Sequence, residues 1–212
     1  MSEEIGFIIN WLKDNWIITI SLLLSFIAIL FTALKDFILP FFIKPKLKIT
    51  YTDKEPYKRA PIFLNPGSIL SAFDRFKVEN IGKATAKNCR CQIYQVKDGK
   101  GKEVDLQGFP LRWASRPDSG TDFSKAERLN IGPGESEFAD LIYMRSDNTT
   151  RMFLSSYHST PIGMGDSIAV DNYTLKVIIS GDNFKPYFAS FKVLNKVDLN
   201  GFHIKLETVE RK

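Results

Sequence analysis

The sequence is poor in the residues that carry chemistry. Of its 212 residues only two are histidine and two are cysteine. No further Cys or His pair lies at metal-ligand spacing from Cys89-x-Cys91, and the histidines, His158 and His203, stand far apart in the chain. A lone C-x-C on a strand reads as two small core residues, not as a metal set. In an extended strand both thiols point to one face about 6.6 Å apart, too far and too parallel to join readily as a disulfide. Nothing here requires an oxidising compartment. Neither a phosphate-binding G-x-x-x-x-G-K loop nor a G-x-G-x-x-G fingerprint occurs, so nucleotide chemistry has no cradle. The nucleophile-elbow pattern G-x-S-x-G is missing too. Ser155, Ser156 and Ser159 around His158, with Asp166 and Asp171 downstream, supply the letters of a hydrolase triad. A Ser-rich loop makes no oxyanion hole, however, and reads first as a polar connection. Asp166, Asp171, Asp182 and Asn183 fall in expected loops without a dense D-x-D-x-D run, and read as turn formers before calcium ligands. The net charge of +5 is spread through strands and turns. Without a dense Lys/Arg patch it does not imply RNA or DNA binding. The expectation is no cofactor, no metal, no nucleic acid and no catalytic residue.

What is abundant is apolar surface near the N-terminus. From Trp16 to Leu34 the chain reads WIITISLLLSFIAILFTAL, with no charged residue. As a helix that is about 28 Å long, matching a bilayer core of about 30 Å. Lys13 and Asp14 bound it on one side, Lys35 and Asp36 on the other. Trp11 and Trp16 sit where an interfacial aromatic belt would, and Pro40 and Pro45 stop a helix from continuing. The MSEE start lacks the basic n-region of a signal peptide, so the segment reads as a single-pass anchor in a lipid bilayer. Ahead of it Lys13 is the one basic side chain; behind it come Lys35, Lys44, Lys46 and Lys48. By retention of positive charge the C-terminal domain is expected on the cytoplasmic side, its lysines facing anionic headgroups. Ser21, Ser25, Ala28 and Thr32, at i, i+4, i+7 and i+11, share one stripe about 60° wide. Small residues there admit a homo-oligomer or a partner helix, whereas hydroxyls bonded to their own i−4 carbonyls need neither.

Beyond the anchor the pattern changes from continuous to alternating. LKITYTD (47–53) reads as a strand, followed by a Pro/Lys/Gly-rich loop to about residue 68. Phe76 and Val78 alternate into the turn Asn80-Ile81-Gly82. Cys89, Cys91 and Ile93 then share one strand face, opposite Asn88, Arg90 and Gln92. Asp98-Gly99 marks a hairpin returning through Val104 and Leu106. Leu129 and Ile131 lead into Gly132-Pro133-Gly134, with Pro133 and Gly134 suited to the centre of a type II turn. Strands follow at 138–143, at Tyr173–Ile179 with the cleanest alternation, at 189–193 and at 202–206, where His203 should face solvent. About eight short strands and no amphipathic helix after the anchor predict a mainly β, antiparallel sandwich. The expected organisation is a short segment (1–15), a transmembrane helix (16–34), a juxtamembrane linker (35–46) and the β domain (47–212).

The run FKVENIGKATAKNCRCQIYQV (76–96), with its strand–Asn-x-Gly turn into a second strand, resembles immunoglobulin-like sandwiches of prokaryotic adhesion-type modules. RLNIGPGESEFADL, YTLKVIISGDN and SFKVLNK are similar to the rest of such a module. With LRWAS before the Pro-Gly turn, the chain resembles prokaryotic single-pass membrane proteins over roughly residues 70–195. The resemblance implies a fold and no activity. Adhesion-type relatives lie largely outside the cell, which opposes the cytoplasmic expectation drawn from charge.

Two irregular stretches remain. LRWASRPDSGTDF (111–123) carries Arg112, Trp113, Arg116 and Phe123, the composition of a partner-binding loop. Alternatively, Trp113 plugs the end of the sandwich. The other is the long connection from Asp147 to Asp171. The sequence thus leads to the expectation of a membrane-anchored, non-enzymatic module that binds a protein partner or a second copy of itself. An extracytoplasmic adhesion or ligand-binding domain and a hydrolase using the His158 loop are the alternatives.

Overall fold

The computed structural model describes residues 11, 14–35, 43–63, 70–106, 108–116, 127–145, 148–154, 167–198 and 201–211. Phe123 and the His158 loop lie outside these residues. The chain forms two compact units, Met1–Ile43 and Lys44–Lys212. In the first, α1 (Trp16–Ala33) is a helix of 18 residues, about 27 Å, long and apolar enough to cross a membrane. None of its side chains is buried within the protein.

The second unit is built of strands. They are β1 (Leu47–Thr50), β2 (Lys58–Phe63), β3 (Leu70–Asn80), β4 (Ala86–Asp98), β5 (Glu103–Val104) and β6 (Leu129–Ile131). β7 (Ser136–Arg145), β8 (Asn148–Leu154), β9 (Ser167–Ala169), β10 (Tyr173–Ser180), β11 (Tyr187–Asp198) and β12 (Gly201–Arg211) complete them. One sheet runs β1-β3-β7-β8-β9, with β2 also against β3. The other runs β12-β11-β10-β4-β5, with β6 also against β4. Neighbouring strands pair antiparallel, as in β1–β3, β3–β7, β4–β10 and β10–β11.

Period-two alternation turns one face of each sheet inward. Leu47, Ile49, Phe76 and Val78 from one sheet meet Cys89, Cys91, Ile93, Val177 and Phe191 from the other in a single core cluster. The Phe76 ring lies 5.0 Å from that of Phe191, and Tyr51 meets Phe191 edge-on at 6.3 Å. Offset and edge-on contacts of this kind suit the ring quadrupoles and tie the sheets face to face. The alternation expected for Tyr173, Leu175, Val177 and Ile179 is the one observed, with all four buried. The Gly132–Glu135 turn closes through Glu135 N–H to Gly132 O at 3.1 Å, with Gly134 at φ 78°, the left-handed position that a type II turn needs.

The described residues hold more strands than the eight expected. β8 lies in the stretch read as a long loop, because its opening Asn148-Thr149-Thr150 is polar and alternation is confined to its end. There Met152 and Leu154 are fully buried. Phe153, on the other face, stacks at 5.2 Å on Tyr143, which stacks at 5.4 Å on Phe73. β2 lies in the Pro/Lys-rich loop; its pairing with β3 is irregular between Arg59 and Ile62, around Pro61, which has no amide to donate. His203 is half-exposed, with Nδ1 3.4 Å from the Asp53 carboxylate.

The domain takes up the chain at Lys44, before the alternation that starts at Leu47. Ile81 N–H donates to Lys46 O at 2.8 Å and Lys83 N–H to Lys44 O at 3.3 Å, extending the β1–β3 ladder back toward the anchor. Buried Asn80 holds this junction with its side chain. Oδ1 accepts from the amides of Lys46 (3.2 Å) and Gly82 (3.0 Å); Nδ2 donates to the carbonyls of Ala84 (2.8 Å) and Ile131 (2.9 Å). A Cβ on Gly82 would fall on the backbone of Lys44–Lys46, so the close approach requires glycine. Replacing Asn80 by Ala strands several buried polar groups at once. The expected loss is about 3 kcal/mol of unfolding free energy, and Gly82→Ala also destabilises. Urea unfolding of the full chain in mild detergent, followed by near-UV circular dichroism, measures both; unchanged midpoints would show that the junction is not a keystone.

Candidate interaction surfaces

On α1 the four stripe residues are exposed and lie on one side. Their hydroxyls are already engaged. Ser21 donates to Ile17 O at 2.9 Å, Ser25 to Ser21 O at 2.8 Å and Thr32 to Ala28 O at 2.9 Å. These i−4 bonds satisfy the hydroxyl hydrogens within the helix, so what the stripe offers a second helix is chiefly small size, with Ala28 at its centre.

The LRW segment crosses between the two sheets. Leu111 N–H donates to Cys91 O at 2.9 Å on β4, while Asp140 N–H donates to Arg112 O and Ala114 N–H to Phe138 O, both at 2.8 Å, on β7. Within four residues the chain passes from one sheet to the other. Trp113 is 0% exposed, and its Nε1 donates to Glu127 O at 3.0 Å. Its indole fills the interior, in keeping with the plug and out of reach of a partner. Arg112 is half-buried beside Asp140, whose carboxylate also pairs with Arg75 at 3.0 Å. Glu127 pairs with Arg90 at 2.7 Å. Burying such carboxylates costs several kcal/mol unless cations accompany them, which gives the half-buried arginines a structural task. Of the segment's described residues, Arg116 is the cation left exposed.

A basic edge lies where the domain takes up the chain. Lys44, Lys46 and Lys48 are all exposed at i, i+2 and i+4 of an extended run, so they project on one side. Lys83, also exposed, lies across the ladder from Lys44.

The thiols of Cys89 and Cys91 are free and buried. Burial pushes the Cys89 thiol up to about 12 and the Cys91 thiol well above its ordinary value of 9.0, because desolvation disfavours the thiolate. Among the described residues no three His, Cys, Asp or Glu side chains gather as a metal-binding group. Compared with protein-family profiles, curated proteins and solved structures, the chain matches none.

Two outcomes follow from this geometry. Thiol-directed reagents should leave both cysteines unmodified in the folded protein and label them in urea. Above pH 9 the unfolded chain loses its thiol protons while the folded chain keeps them, so stability should fall as pH rises from 9 toward 12, and thiol titration should leave it flat below that. For the helix, Ser25→Leu with Ala28→Leu should weaken self-association in a membrane-dimerisation assay; unchanged association would remove the stripe as a contact surface.

Proposed function

We propose that the protein is a membrane-anchored, non-enzymatic binding or assembly module that displays its β domain at the cytoplasmic face of the membrane. The observation that carries this reading is the join at Lys44. Ten residues (34–43) separate the end of α1 at Ala33 from the start of the domain at Lys44, so a bilayer-spanning α1 would keep the domain close to the surface. Among the described residues, the buried polar groups Asp74, Asn80, Glu127 and Asp140 each hold the fold together, which supports a binding role over catalysis. Asn80 binds backbone, Asp74 accepts from the Tyr51 hydroxyl at 3.1 Å, and Glu127 and Asp140 pair with arginines.

The strand order supports an immunoglobulin-like sandwich. β1-β3-β7 follows the A-B-E order and β4-β10-β11 the C-F-G order of that fold. The departure lies at the fourth strand: β8 and β9 follow β7 in the chain, whereas the immunoglobulin D strand precedes E. This likeness to adhesion-type modules favours a second reading, an extracytoplasmic binding domain. Reporters separate the two. With the domain in the cytoplasm, green fluorescent protein at the C-terminus fluoresces and alkaline phosphatase there stays inactive. The reverse pattern would overturn the cytoplasmic assignment in favour of the second reading.

A further inference from the structure

The outer face of the sheet β12-β11-β10-β4-β5 carries a row of cations that the sequence pattern does not reveal. The registers place Thr174 between Lys97 and Lys192, and Lys192 directly opposite Lys205. Strands are spaced about 4.8 Å apart, so three ammonium-bearing side chains start within about 15 Å of one another. Like charges opposed across strands destabilise a sheet unless an anion offsets them. Lys176, on the next row of β10, has its anion: it lies 3.8 Å from Glu210 and over the Phe188 ring. Lys97 stands directly opposite Glu103 of β5, whereas the side chains of Lys192 and Lys205 face one another with no ion pair or hydrogen bond among the described residues.

The row borders an open cleft of about 510 Å³, lined among others by Lys97, Tyr173, Thr174, Lys192 and Leu194. Its one carboxylate, Asp98, accepts the amides of Lys100 (2.9 Å) and Lys102 (2.8 Å) and belongs to its own turn. We propose that this cleft and lysine row bind an acidic, carboxylate-rich segment of a protein partner. An extended peptide laid across the strands presents a side chain to the sheet every ~7 Å, a spacing that lets successive carboxylates meet successive lysines. Thr174 supplies a neutral hydroxyl between two of them, and exposed Leu194 an apolar wall.

The row lies away from the point where the chain enters the domain. The chain joins the domain at Lys44, beside Asn80, at the end of the sandwich that also holds Ser180 and Tyr187. Thr174 lies six residues along β10 from Ser180, about 20 Å toward the opposite end.

The inference rests on the binding-module reading and supplies the partner's chemistry. Its test uses the full chain in nanodiscs of neutral lipid, with a fluorescent octaglutamate peptide read by anisotropy and lysine acylation as a footprint. The peptide should bind, and should shield Lys97 and Lys192 from acylation. Lys97→Gln with Lys192→Gln should weaken binding about tenfold, Lys192→Arg should retain it, and Lys44→Gln with Lys48→Gln should leave it unchanged. Absence of binding, or equal binding by the Lys97→Gln/Lys192→Gln protein, overturns the proposal. Shielding by inorganic phosphate alone, or by phosphatidylserine nanodiscs without peptide, overturns it in favour of a small anion or a lipid surface. A negative result leaves the reporter measurement of topology and a partner bound elsewhere on the domain intact, so the two readings fail separately.

Discussion

Four hydrogen bonds from one carboxamide hold the tether end of the domain. Asn80 reaches the backbone of Lys46, Gly82, Ala84 and Ile131, which belong to the incoming chain, the β3–β4 turn and the end of β6. Its own backbone pairs with Glu135 and Gly134, across the next turn. A side chain with two donor hydrogens and an oxygen that accepts twice is the one chemistry that satisfies this mixture of amides and carbonyls. Asp would lack the donors and Leu would lack everything. Gly82 is the complement of that design, an empty space where the incoming backbone lies.

From this end the rest of the sandwich is organised by how it buries polarity. The Tyr187 hydroxyl accepts the Leu47 amide at 3.2 Å, joining the two sheets beside the Asn80 cluster. The LRW crossover joins them again, with Trp113 as the filling. Arginines on β3, on β4 and in the crossover accompany the carboxylates that its neighbourhood buries. Breaking one partner of such a pair costs more than the pair contributes, because it leaves a charge without water. These groups therefore specify the arrangement more than they strengthen it.

The fold was legible where burial is two-sided and the pattern clean. Tyr173–Ile179, the Cys89/Cys91/Ile93 face and the Gly-Pro-Gly turn could be read from single residues, because period two and positive φ are local properties. β2 and β8 were not legible, since Pro61 and the Asn-Thr-Thr opening mask strands that tertiary pairing stabilises. For Trp113 composition left two readings, a partner-binding loop or a plug, because it does not report which way an indole points; only the crossover from β4 to β7 does. The lysine row is invisible in the sequence for a related reason. Lys97, Lys192 and Lys205 are scattered along the chain, and register alone makes them neighbours.

The join at Lys44 also fixes how the domain bears mechanical load. Tension drawn along the sandwich between the anchor and something held at its far end enters through Lys44–Thr50. It meets the β1–β3 ladder lengthwise, so the bonds from Lys83, Ile81 and the β1 pairs are sheared together rather than unzipped one at a time. Asn80 braces the same seam from the side through the Lys46 amide. Such a seam acts as a clamp, because a pull entering at Lys44 loads several bonds at once.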